Sequence, residues 1–163
     1  MNYPKFLGMT VIAMTVAISL QSMSRAMAKV KELTPRGTNQ TLREDINTIN
    51  RWYVGWSNYY KMTEYPTQLS LIEAHIRRRL RARLVTQQKR QRYLCEMLKK
   101  RGVPSNLAAK TAYSNKKRWA MSHTKAVEMA YSNSWFSDQM GLKTRSREKL
   151  PHWKSLSTWI RLS

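Results

Sequence analysis

The chain has 163 residues, 42% of them hydrophobic, which suffices for one ordinary domain or two small ones around a buried core. Thirty Lys and Arg against nine Asp and Glu leave a formal charge of +21, more than solubility needs and destabilising through self-repulsion unless a polyanion is bound. Six Trp, eight Tyr and ten Met exclude a solvated basic tail, and the lone Cys95 excludes an intramolecular disulfide and a thiolate-clustered zinc site, which fits a reducing, cytoplasmic setting.

From Phe6 to Ser24 no residue is charged. A spanning helix wants about 20 apolar residues, and Gln21, Ser22 and Ser24 dilute the end of this run. The β-branched pieces Thr10-Val11-Ile12 and Thr15-Val16 are read instead as two short buried strands, with no membrane partner. Ala13-Met14 between them lacks the Gly or Asn that a tight turn prefers. A first helix is expected over about Leu20 to Leu33, ending in a loop carrying Pro35 and Gly37.

Thr41-Leu42-Arg43-Glu44 has capping-box spacing and opens a second helix. Leu42, Ile46, Ile49, Tyr53, Trp56 and Tyr60 fall in one arc at 100° per residue, with Trp52 and Tyr59 on its flank. Aromatics beside basic residues can stack bases, but regular helical spacing favours Trp52, Tyr53, Trp56, Tyr59 and Tyr60 as a structural aromatic core.

Pro66 starts a third helix to about Gln87, with Leu69, Ile72, Ile76, Leu80 and Leu84 as its buried stripe. On the wheel Arg77, Arg78 and Arg81 lie opposite the stripe, while Arg79 and Arg83 lie at its edge with their stems on apolar surface. Between Pro66 and Arg101 eleven Lys or Arg meet only Glu73 and Glu96, so a face neutralised by local ion pairs is excluded and a polyanion partner is implied. Lys89, Arg90 and Arg92 lead into a fourth helix with Tyr93, Leu94, Met97 and Leu98, which ends near Lys99, Lys100 and Arg101 at Gly102. Ser105 is expected to cap a short Ala-rich helix. Lys116, Lys117, Arg118 and Trp119 are expected to form a basic and aromatic loop, and Ser122 to cap a helix through about Tyr131. Trp135, Phe136, Trp153 and Trp159 suggest that the last third docks on the body.

His75, His123 and His152 show no metal-ligand spacing, and Asp45 and Asp138 stand far apart in sequence. No catalytic residue, cofactor or metal is assigned, and His123 is read as structural or RNA-facing. The residues describe a binder.

The runs "INRWYVGWSNYYKMTEYP", "IEAHIRRRLRARLVTQQKR" and "SNKKRWAMSHTKAVEMAYSNSWF" resemble the thumb and maturase-specific region of group II intron reverse transcriptases. Upstream, "KFLGMTV" is similar to that family's last palm motif, a strand pair around Phe-Leu-Gly, and "SMSRAMAKVKELT" to its first thumb helix. The resemblance implies a mainly α fold: a helical thumb bundle and a helical maturase region, with a short N-terminal β-hairpin remnant of the palm. It divides the chain into a palm remnant at 1–19, thumb helices at 20–87 and an RNA-binding maturase region at 88–163. It further implies binding of group II intron RNA and help with its splicing, with DNA as the alternative polyanion. Arg77, Arg78, Arg79, Arg81, Arg83, Lys89, Arg90, Arg92, Lys99, Lys100, Arg101, Lys116, Lys117, Arg118 and His123 are the RNA-binding candidates. The family's catalytic Tyr-x-Asp-Asp belongs upstream of Phe-Leu-Gly, so no polymerase activity is expected. The strands, lacking a palm sheet, are expected to leave edges uncovered, so that residues 1–19 are poorly ordered or self-associate.

Overall fold

The computed structural model describes residues 5–12 and 15–145. These residues are mainly helical, with a small antiparallel sheet at the start. Strands β1 (Lys5–Phe6) and β2 (Met9–Ile12) are joined by Leu7 and Gly8, whose φ values of 47° and 78° match the type I′ turn that suits the strand twist. Strand β3 (Thr15–Ile18) pairs with β2, Val11 facing Val16. The expected strands at Thr10 and Thr15 are present, and so is the pair around Phe-Leu-Gly. Ala13 and Met14, between β2 and β3, lie outside the described residues.

The expected bare edge is absent on the β3 side. Gln68 imitates a neighbouring strand: its Oε1 accepts from the Ile18 N–H at 2.8 Å and its Nε2 donates to the Ile18 carbonyl at 2.9 Å. The Glu64 N–H donates to the Val16 carbonyl at 2.9 Å. Ile18 then buries against Tyr60 and Leu69. What covers β3 is the corner leading into the third helix.

Helix α1 (Leu20–Leu33) starts where the Ser19 hydroxyl accepts from the Ser22 N–H at 3.2 Å, and buries Ser22, Ala26 and Val30 at four-residue spacing. Helix α2 (Leu42–Tyr59) has its capping box: the Glu44 N–H donates to Thr41 Oγ1 at 3.3 Å and the Thr41 N–H to Glu44 Oε2 at 2.6 Å. Helix α3 (Pro66–Gln87) begins with its proline at the first helical position, and α4 (Gln91–Lys100) ends before Gly102 at φ +82°. Helices α5 (Ser105–Ala112), α6 (Arg118–Met121) and α7 (Lys125–Ala130) follow, then a π-helical turn at Trp135–Gln139.

The late caps differ from expectation. Ser105 is the first residue of α5 and makes no capping bond. Arg118 and Trp119 open α6 rather than sitting in a loop. Ser122 donates to the Trp119 carbonyl at 2.7 Å, leaving Thr124 at the head of α7. Residue type alone suggests a side-chain cap at each serine; at Ser122 a neighbouring carbonyl takes the hydroxyl, and at Ser105 the helix starts one residue earlier.

One core runs from Ala26 and Val30 through Ile46, Tyr53, Ile76 and Leu80 to Leu98, Val127 and Phe136. At about 1.5–3 kcal/mol for each large apolar side chain, this burial is the main stabilising contribution. Phe136 is fully buried, as the docking of the last third requires, while Trp153 and Trp159 lie outside the described residues. Helix α3 is central. Arg79, Leu80, Arg81, Ala82 and Arg83 are all buried in succession, so this stretch has no solvent face.

Candidate nucleic-acid interface

The arginine run of α3 is divided by its neighbours. Arg79 reaches the C-terminal end of α1, where Nε donates to Thr34 Oγ1 at 2.9 Å and Nη2 to the Thr34 carbonyl at 2.8 Å. Arg81 reaches the end of α7: Nε donates to the Tyr131 carbonyl at 2.9 Å and Nη2 to Asn133 Oδ1 at 3.0 Å. Arg83 pairs with Asp45 of α2 and also donates to the Gln40 carbonyl. Helix C-termini carry orphan carbonyls and partial negative charge, so a guanidinium is a fitting partner for them. Burial, chiefly, pulls the Arg79 and Arg81 groups below their ordinary range, and it pushes the Asp45 carboxyl up while Arg83 pulls against it.

The wheel puts Arg81 opposite the buried stripe and gives Arg79 and Arg83 free heads. The structure corrects both: all three guanidinium groups are inside, held by α1, α2 and α7. A helical wheel assumes one buried face, and α3 is packed on several sides. Arg118 is used in the same manner, with Nη2 donating to the Gln88 and Lys89 carbonyls at 2.8 and 3.2 Å where α3 gives way to α4.

The other candidates are on the outside. Lys89, Arg90, Arg92, Lys99, Lys100, Arg101, Lys116 and Lys117 are exposed. Arg92 pairs with Glu96 at 3.1 Å, and the Arg101 guanidinium lies 4.5 Å from the Tyr131 ring centre and 4.6 Å from that of Trp135. His123 is exposed, with Nδ1 3.0 Å from Glu128. Arg77 is half-buried beside Glu73, and that carboxylate also accepts from the Tyr53 hydroxyl and the Arg145 N–H, each at 2.6 Å.

Of the five aromatics expected in the core, Tyr53 and Tyr60 are buried. Trp52 and Trp56 are half-buried and stack with centroids 5.9 Å apart. Tyr59 is 54% exposed and is a correction: its hydroxyl donates to the Leu7 carbonyl at 2.9 Å, so it fastens the β1–β2 turn to α2.

Trp119, Arg36 and His75, all outside the expected set, join Arg78 on this surface. The Arg78 guanidinium lies 4.2 Å from the Trp119 ring centre, Arg36 approaches the same indole at 5.7 Å, and His75 meets it edge-on at 6.1 Å. Burial, then Arg79 and Arg78, lowers the His75 pKa. Beside this stack a cleft of about 590 Å³ opens between α3 and the α6–α7 segment, and a second of about 330 Å³ lies toward α1 and Arg36, sharing Met27 and His75 with the first. Trp119 stands within a basic run in the sequence, but nothing local connects Arg36 or His75 to it.

The fold and surface define a small, strongly basic helical domain with exposed cations on α4 and its flanks, on the residues before α6 and also on α1 and α2. Residues 23–102 match the family model described as group II intron, maturase-specific domain. The match spans 80 of the 163 residues, just under half of the chain, and identifies that segment as a group II intron maturase-specific domain. The segment begins within α1 and ends just after α4. No curated protein matches the chain. A maturase-specific domain is not the catalytic part of a polymerase. Among the described residues no helix is long and apolar enough to cross a membrane.

Proposed function

We propose that the chain binds group II intron RNA and assists its folding for splicing, and has no polymerase activity of its own. The observation that carries this reading is the maturase-specific match over α1–α4 together with the exposed basic groups that α4 and its flanks present. Lys89, Arg90, Lys99 and Lys100 are exposed, and α4 offers Glu96 as its one carboxylate. Such a surface gains affinity by releasing counterions from phosphates, and A-form RNA is recognised largely through phosphates and 2′-hydroxyls. In this reading α1–α3 act as the thumb, and Lys116, Lys117 and Arg77–Arg78 extend the RNA contact.

The test is binding to intron RNA transcribed from the flanking locus, across a salt series, with unrelated structured RNA and duplex DNA as competitors. Affinity for the intron that survives competitor at moderate salt is the expected result. Equal affinity for every polyanion would leave only a nonspecific basic binder or a gene remnant. The cytoplasmic location belongs to this proposal and is checked by fractionation.

A further inference from the structure

The Arg78–Trp119 stack and the cleft beside it are built differently from the rest of the basic surface. Exposed lysines on α4 are mobile point charges, suited to a phosphate backbone of any form. Arg78 is half-buried, its guanidinium is laid on an indole, and its Nε is enclosed with no partner among the described residues. A guanidinium fixed in this manner offers a flat cationic surface. The neighbouring cleft has walls of two kinds: Met27, Leu71 and Ala74 are apolar, whereas Arg77, Asn133 and His123 are polar or charged. Its volume of about 590 Å³ lies in the range of small-ligand pockets. Glu128 is its one carboxylate, and that group lies 3.0 Å from His123 Nδ1.

An intact duplex keeps its bases stacked inside and presents only its outer surface, so it has nothing to place in a recess. An unpaired nucleotide has both a flat ring and a phosphate, and aromatic or guanidinium planes are its usual partners. We infer that the cleft between α3 and the α6–α7 segment receives a single unpaired nucleotide of the bound RNA, its ring against Arg78 and the apolar wall and its phosphate toward Arg77. The inference rests on the RNA-binding reading given above and adds to it a preference for a bulge, loop or single strand at this position. Exposed cations on α4 contact flanking backbone.

The test uses the full chain with three probes: a short single-stranded RNA, the same sequence as a perfect duplex, and a free nucleoside monophosphate. Ala74 is exposed on the cleft wall, so Ala74→Trp fills the space without changing charge, and circular dichroism verifies that the helices persist. Arg78→Lys keeps the charge and removes the planar stack. The expected result is that Ala74→Trp weakens single-strand binding by about tenfold, the loss of roughly one stacked base, and leaves duplex binding unchanged, while Arg78→Lys weakens the strand more than the duplex. Equal losses on strand and duplex, or no loss on either, overturn the cleft while wild-type RNA binding stands. If wild-type protein binds no RNA above the level of other polyanions, both readings fall. A monophosphate that binds as tightly as the strand overturns the inference in favour of a small-molecule site.

Discussion

Arg83 and Asp45 form an ion pair across the α2–α3 interface with both side chains withdrawn from solvent, 0% and 1% exposed. The pair ties together the two longest helices, α2 and α3. Arg83→Met leaves an uncompensated carboxylate inside and should cost about 3–5 kcal/mol in urea denaturation. Joining it with Asp45→Leu should recover most of that loss, because the desolvation cost of both charges disappears together. A double variant as weak as the single would mean that the pair does more than satisfy itself.

The division of the arginines predicts opposite phenotypes within one basic sequence. Arg81→Gln should lower stability by roughly 1.5–3 kcal/mol, since its charge-assisted bond to the Tyr131 carbonyl disappears at a buried site. Lys99→Gln with Lys100→Gln should leave the melting temperature unchanged while weakening RNA binding and flattening its salt slope by about 0.9 for each duplex phosphate no longer neutralised. Reversed outcomes would mean that the inside and outside assignments are exchanged.

His75 predicts an acid-side loss of stability. Burial and the two arginines beside it hold its folded pKa below the ordinary value of 6.5, so the folded state binds fewer protons than the unfolded chain. Its contribution is therefore constant above about pH 7 and turns unfavourable as pH falls through 6.5 toward the depressed value. Thermal melts of wild type and His75→Gln across about pH 5 to 8 should diverge over that interval. Parallel curves would remove the effect.

Gly8 predicts a local failure. Its φ of 78° disfavours any side chain, and an added methyl group would sit 2.7 Å from Ser22 Oγ and from the Tyr60 hydroxyl oxygen. Gly8→Ala should cost about 1–2 kcal/mol and speed amide exchange at Ile18 and Ser19 more than at Ile76. Uniform acceleration would show that the sheet and the helical body unfold as one unit.

Local chemistry is legible in this sequence and long-range partnership is not. The capping box at Thr41, the proline at the head of α3 and the glycine after α4 each act within a few residues, and α1 to α4 stand where those signals put them. Arg79, Arg81 and Arg83 escape such a reading because their acceptors lie 45, 50 and 38 residues away: the first two are carbonyls, which leave no mark in a sequence, and the third is the distant Asp45 carboxylate. Counting carboxylates near the run finds too few partners for the same reason. Trp119 stands out beside its basic neighbours, yet Arg36 and His75 reach it only through the packing of α1 and α6 on α3.

The central placement of α3 also sets an order of events during synthesis. When this helix leaves the ribosome, its Arg81 and Glu73 have yet to meet acceptors and donors that follow 50 and 72 residues later. At about 5–20 residues per second, translation makes that interval several seconds. Through it the nascent helix carries charges destined for the interior, held against α1 and α2 by Arg79, Arg83, the Tyr53–Glu73 hydrogen bond and apolar contact alone. The body can close only after Tyr131 and then Arg145 arrive, so the helices at residues 20–87 are completed by backbone made well after them.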